Sequence, residues 1–212
     1  VRWNLNLAGR VGLFGGTFNP LHDAHLLVAQ TALEQFALSE IVFIPSGVPP
    51  HKEVAEGVDK EDRYAMVKEG IAPYPNFSVS RIEIDRVGPS YTIDTIRALK
   101  RSYPQGLCFI VGADLLLQIE TWKEPHALLA SVPFLIAPRD GITRERFTAS
   151  PFQGAEIHFL EMEEVDLSST WVRERVRQGR AIEEYVPHEV ALYIEQHNLY
   201  RDRELAKVIT KE

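Results

Sequence analysis

The sequence predicts an α/β protein built on a Rossmann-like, doubly wound parallel sheet with helices on both faces. Two observations predict the layering. Short apolar runs alternate with stretches of helical periodicity along most of the chain, and the runs are continuously apolar, as in strands covered on both sides. A third observation concerns ligands. Glycine pairs and polar residues cluster directly after several of these runs, and parallel sheets bind ligands beyond the carboxyl ends of their strands.

The elements follow in order. Val11–Phe14 reads as a buried strand ending in Gly15-Gly16, and His22–Phe36 as a helix with Leu26, Ala29, Leu33 and Phe36 at helical spacing. Ile41–Ile44 is a second strand, stopped by Pro45, and Ser46–Val58 is a Pro- and Gly-rich loop. Asp59–Ala72 is a polar-faced helix, Phe77–Ile84 an alternating strand, Thr92–Ser102 a helix and Leu107–Val111 a fourth strand. Phe134–Ala137 and Ile157–Leu160 complete the strands, and Ser169–Gln178 and Pro187–Gln196 are closing helices. No internal repeat or firm domain boundary is visible. The expectation is one domain over residues 1–212, with about 167–212 forming a C-terminal helical lobe.

Composition narrows the function classes. The 212 residues are 45% hydrophobic, enough to bury a core at this size. The formal net charge of −7 offers no overall attraction to nucleic acid or anionic membrane, so a phosphate binder must concentrate its cations locally. The one cysteine, Cys108, lies inside an apolar run and reads as a buried strand thiol, with no disulfide framework. No apolar stretch approaches the ~20 residues of a membrane helix, and Val1–Gly9 has no signal-peptide core. A reducing, cytoplasmic compartment is the expectation.

Two segments carry chemistry. The first is Gly15-Gly16-Thr17-Phe18-Asn19-Pro20-Leu21-His22-Asp23-Ala24-His25, at a strand–helix junction. Two glycines let backbone N–H groups approach an anion, and the helix start adds partial positive charge. His22 and His25, three apart, share a face of the first turn and can donate to phosphate. The spacing is neither a Walker A loop nor a dinucleotide fingerprint. A plain tight turn is the bland alternative. A metal site is another, but the ligands that would complete it are missing nearby.

The second is Leu167-Ser168-Ser169-Thr170-Trp171-Val172-Arg173, where Ser168 or Ser169 caps a helix and Arg173 lies four residues beyond Ser169. A capped helix start with an arginine suits an anion. An ordinary surface helix with Arg173 paired to Glu174 or Glu163 is the alternative. Weaker signals are Pro49-Pro50-His51-Lys52 in the long loop, Ser90-Tyr91-Thr92-Ile93-Asp94-Thr95 at a helix start, and Gly112-Ala113-Asp114 at a strand end with Trp122-Lys123 beyond. Asp114 could hold a ribose hydroxyl, and Trp122 could stack on a flat ring or simply sit in the core.

Together these segments, with Thr121–Pro125, Leu167–Arg180 and Pro187–Tyr200, resemble the bacterial nicotinate-nucleotide adenylyltransferases, within a wider nucleotidyltransferase superfamily. The resemblance covers the chain from Val11 to about Tyr200. It implies NAD biosynthesis: adenylyl transfer from ATP to nicotinate mononucleotide, with Mg²⁺ and release of pyrophosphate. Carried over residue by residue, it puts Gly15, Gly16, Thr17 and Phe18 along the nucleotide cleft and His22 and His25 on ATP phosphates. Ser169, Thr170 and Arg173 would flank the adenosine and phosphates, and Lys52 would reach phosphate from its loop. Asp114, Trp122 and the backbone of Thr92 and Lys123 would form the nicotinate side.

Two positions depart from the family: Asn19 stands where Asp is frequent and Ala24 where Gly is usual. The implied reaction needs no protein nucleophile, and Mg²⁺ would ride on triphosphate oxygens and water, so no protein metal ligand is named. Alternatives are an enzyme preferring nicotinamide mononucleotide, the same chemistry on pantetheine phosphate or with cytidylyl transfer, and a non-catalytic nucleotide sensor. Expected partners are these small molecules, with no nucleic acid or membrane; homo-oligomerisation is left open.

Overall fold

In the computed structural model, which describes residues 5–48 and 58–201, six strands pair in parallel. They are β1 (Val11–Gly16), β2 (Glu40–Pro45), β3 (Phe77–Val79), β4 (Leu107–Gly112), β5 (Phe134–Ala137) and β6 (Ile157–Phe159), in the sheet order β3-β2-β1-β4-β5-β6. This is the doubly wound order the sequence predicts, with its switch point between β1 and β4. The helices are α1 (Asp23–Gln35), α2 (Lys60–Ile71), α3 (Thr92–Leu99), α4 (Ala113–Leu116), α5 (Pro125–Leu129), α6 (Ser169–Arg177) and α7 (His188–Gln196). The short helices α4 and α5 have no counterpart in the sequence prediction, being too brief to show a period.

Alternate strand residues feed two apolar layers, as the pleat requires. Phe14, Phe43, Cys108, Ile110 and Leu135 pack with Leu26, Met66, Val172 and Val190 of α1, α2, α6 and α7. Val11, Leu13, Val42, Phe109 and Ile136 pack with Ile93, Ile96, Leu116 and Leu128 of α3, α4 and α5. Cys108 is fully buried, and burial pushes its thiol up to about 12, which suits a packing residue rather than a nucleophile.

Two local expectations need correction. The third strand ends at Val79, not Ile84: Ser80 still donates to the Phe43 carbonyl, but Pro45 brings no N–H, and a turn closes from Asp85 to Arg81. The alternation over 80–84 marks burial of Ile84 without a strand. The helix read as polar-faced also buries Met66, Val67, Ile71 and the whole of Arg63.

Candidate active site

At the switch point the carboxyl ends of β1, β4 and β5 open onto a cleft of about 470 Å³, within the ~300–1,000 Å³ of small-molecule sites. The start of α6 closes one side.

The turn after β1 is shaped by Phe18. Its backbone is left-handed (φ 47°), and its buried ring folds back over Gly16, where a Cβ would stand 2.9 Å from the ring tip. Gly15, Gly16, Thr17 and Phe18 all line the cleft. The Phe18 ring also packs edge-on to His25 at 5.0 Å between centroids, walling the imidazole on one side.

His22 precedes α1 in an extended conformation and His25 lies in the first turn, so the two rings stack 3.7 Å apart at 25°. The His22 backbone N–H donates to His25 Nδ1 at 3.2 Å. In the neutral ring that leaves the proton on Nε2, making His25 a donor at its far end. Burial, and then the charge of Arg139, lowers His22 to about 3. Burial, followed by the neighbouring His22 and Arg139, holds His25 well below the ordinary range. Both rings are therefore neutral at physiological pH. His22 is 4% exposed, and its Nδ1 finds no hydrogen-bond partner among the described residues.

From the opposite side α6 contributes Ser169, Thr170 and Arg173. Ser168 is the cap, its hydroxyl accepting from the Trp171 N–H, while Ser169 donates to the Pro20 carbonyl at 2.9 Å. Arg173 donates to the Asn19 carbonyl at 2.8 Å and the Thr170 hydroxyl at 3.2 Å, and its buried Nε has no partner among the described residues. It pairs with neither Glu174 nor Glu163, so the surface-helix alternative does not describe it. Desolvation lowers its pKa, the signature of a guanidinium drawn partly out of water. Asn19 is buried and its Oδ1 accepts from the Tyr200 hydroxyl at 2.6 Å, so its amide serves the joint to the C-terminal segment. Ala24 lies on the cleft wall beside the histidines.

Residues 13–175 match the cytidylyltransferase-like family. A probable nicotinate-nucleotide adenylyltransferase of Moorella thermoacetica is 44% identical over 202 residues, covering 92% of this chain and 93% of the relative. Another from Halalkalibacterium halodurans is 41% identical, covering 93% and 94%. The chain belongs to the nicotinate-nucleotide adenylyltransferases of this family. Among solved structures, Plasmodium falciparum nicotinic acid mononucleotide adenylyltransferase complexed with NaAD shares the fold, with a TM-score of 0.75 at 20% identity over 90% of this chain and 97% of that one.

The remaining sequence-predicted residues fall into three groups. Asp114, at the end of β4 in α4, lines the cleft. Thr92, Trp122 and Lys123 lie outside its walls. Their segments are stitched together: Lys123 Nζ meets Asp94 at 2.8 Å, Arg97 meets Glu124 at 2.6 Å, and Lys123 lies over the Tyr91 ring. Trp122 packs edge-on to Phe109. The backbone N–H groups of Thr92 and Lys123 donate to no described atom. Lys52 falls outside the described residues.

One cleft cation escaped the sequence analysis. Arg139, just beyond β5, lines the cavity and is steadied by the Val165 and Leu167 carbonyls at 3.4 and 3.5 Å. Its signal was the Ala137-Pro138-Arg139 strand end, where the same fold rule places ligands. Among the described residues no group of three or more His, Cys, Asp or Glu is placed to hold a metal ion, and no helix is long and apolar enough to cross a membrane.

Proposed function

We propose that this cleft transfers the adenylyl group of ATP to nicotinate mononucleotide, giving nicotinate adenine dinucleotide and pyrophosphate, a step of NAD biosynthesis. The mononucleotide phosphate oxygen attacks the α-phosphorus; the new P–O bond forms as the bond to the β-phosphate oxygen breaks, and pyrophosphate carries off the displaced charge. No protein nucleophile is needed. Mg²⁺ enters as part of the substrate MgATP, neutralising triphosphate oxygens.

The observation that carries this reading is His25, fixed as an Nε2 donor and held neutral beside His22, Arg139 and Arg173 at the switch point. A ring locked as a donor, next to cations that no carboxylate caps tightly, is preorganised for charge developing on a transferring phosphoryl group. Gly15, Gly16, Thr17 and Phe18 line the ATP side, and Ser169, Thr170 and Arg173 flank adenosine and phosphates. Asp114 with Trp122, and the amides of Thr92 and Lys123, receive the nicotinate nucleotide. One domain holds both substrates, in the cytoplasm.

The test is pyrophosphate release with MgATP and a panel of nicotinate mononucleotide, nicotinamide mononucleotide and pantetheine phosphate, with MgCTP as a control donor. Release is expected with MgATP and the nicotinate nucleotide. ATP binding without release on any acceptor would favour a sensor, and release with MgCTP alone would overturn the donor.

A further inference from the structure

Arg63 is an uneconomical residue by stability alone. It is 1% exposed, its Nε has no described partner, and no carboxylate lies within ion-pair distance among the described residues. A guanidinium taken out of water with its nearest carboxylates, Asp59 and Glu83, acting on it only from beyond ion-pair distance costs more than an apolar side chain of similar volume. Its two bonds show what it does instead. Nη1 donates to the Thr17 carbonyl and Nη2 to the Gly47 carbonyl, both at 2.9 Å. Thr17 belongs to the turn after β1 that lines the cleft; Gly47 belongs to the turn after β2.

The chain of contacts continues past Gly47. Its N–H donates to the Ser90 hydroxyl at 3.1 Å, and the Ser90 N–H returns to the Val48 carbonyl at 2.9 Å. Gly47 sits so close to the next segment that a Cβ would stand 2.1 Å from the Glu83 carbonyl oxygen. The buried Glu83 carboxylate accepts from the Thr95 hydroxyl at 2.7 Å, with Ser90 close by, and Arg86 donates to that hydroxyl at 2.9 Å. Thr95 lies in α3, one turn beyond Thr92. A continuous buried path thus runs from the glycine turn that lines the cleft to α3, whose start the proposed function assigns to the acceptor.

We propose that Arg63 and Ser90 are positioning residues: they fasten the Thr17 turn, the Gly47 turn and α3 into one unit that fixes the distance between the ATP and acceptor sites. The proposal rests on the adenylyl-transfer reading above for its catalytic consequence, but the clamp itself does not. In-line transfer requires attacking oxygen and phosphorus to be aligned, and a misplacement of about 1 Å can cost on the order of 10²-fold. Each end of the clamp should then have its own kinetic mark. Losing Ser90 loosens only the acceptor end, while losing Arg63 frees both turns.

The experiment compares Arg63→Met and Ser90→Ala with the unaltered chain, well below their melting temperatures. Hydrogen exchange without substrate is read first, since it needs no turnover. Arg63→Met is expected to speed amide exchange in residues 15–18 and 46–48 together, leaving β4 and β5 unchanged. With MgATP and nicotinate mononucleotide, Arg63→Met should lower kcat by about 10–100-fold. Ser90→Ala should raise KM for the mononucleotide roughly five- to tenfold, in line with one lost hydrogen bond, with KM for ATP unchanged. A lower melting temperature with unaltered exchange in both turns and unaltered kinetics would overturn the clamp. Exchange that speeds in only one turn would overturn the coupling. Absence of turnover in the unaltered chain would instead count against the adenylyl-transfer reading, with the exchange result still deciding the clamp.

Discussion

At the end of the cleft proposed to bind phosphate, His22, His25, Arg139 and Arg173 converge from three separate segments and all line the cavity. At the proposed acceptor end the side chains are already occupied. Lys123 is paired with Asp94, Arg97 with Glu124, and Trp122 is packed on Phe109. What that end leaves without a partner among the described residues is backbone: the N–H groups of Thr92 and Lys123. On the proposed reading, the difference teaches that the general reaction is written in side chains, whereas the choice of acceptor is written in main-chain donors that any residue type supplies.

Breaking the phosphate end should have the largest effect of a single substitution. His25→Ala removes one preorganised donor and is expected to cut kcat by about 10²–10³-fold with little change in melting temperature. A variant that keeps full turnover, or that melts far earlier, would make His25 a packing residue. Arg173→Lys keeps the charge and loses the planar fork that spans the Asn19 carbonyl and the Thr170 hydroxyl. Its kcat/KM for ATP should fall about tenfold, the loss of roughly one net hydrogen bond to a charged group. Equal kinetics would mean that the guanidinium touches no phosphate.

The same end predicts a pH effect on stability. His22 is depressed to about 3 and His25 well below its ordinary range, so both stay neutral in the fold while the unfolded chain protonates them. The sign follows: the unfolded chain binds more protons once pH falls below ~6.5, so their contribution is complete above that value and drains away towards the folded-state pKa. Each such histidine removes at most about 1.4 kcal/mol per pH unit. The melting temperature should fall between about pH 7.5 and pH 5, and fall less in His25→Ala. Parallel pH profiles for the two proteins would contradict neutral burial of the pair.

The contrast also explains what was legible in the sequence. Phe134–Ala137 was readable to the residue, because a buried parallel strand is continuously apolar. The glycine turn and His22 and His25 were readable as cleft residues because a strand–helix junction at the carboxyl end of a parallel sheet is where such clefts form. Arg139 and Arg63 were not. An arginine after a strand, or within a helix, looks solvated until tertiary packing removes its water, and Arg63 is buried by contacts 46 and 16 residues distant in sequence. Asn19 read as a lost charge, but its partner Tyr200 stands 181 residues away. The third strand read too long because alternation records burial, and Ile84 is buried without a ladder.

The acceptor end supplies the most direct test of the central claim. Nicotinate presents a carboxylate that only accepts hydrogen bonds; nicotinamide presents an NH₂ that must donate. Two main-chain N–H groups suit the first and oppose the second. With charge-assisted bonds about twice as strong as neutral ones and an unpaired buried donor costing about 1–3 kcal/mol, the expected preference is on the order of 10²–10⁴. The measurement is kcat/KM for nicotinate and nicotinamide mononucleotides at saturating MgATP. A ratio in that range for nicotinate is the predicted result; a ratio near one, or one favouring the amide, would contradict recognition by main-chain donors and leave only a broader pyridine-nucleotide adenylyltransferase.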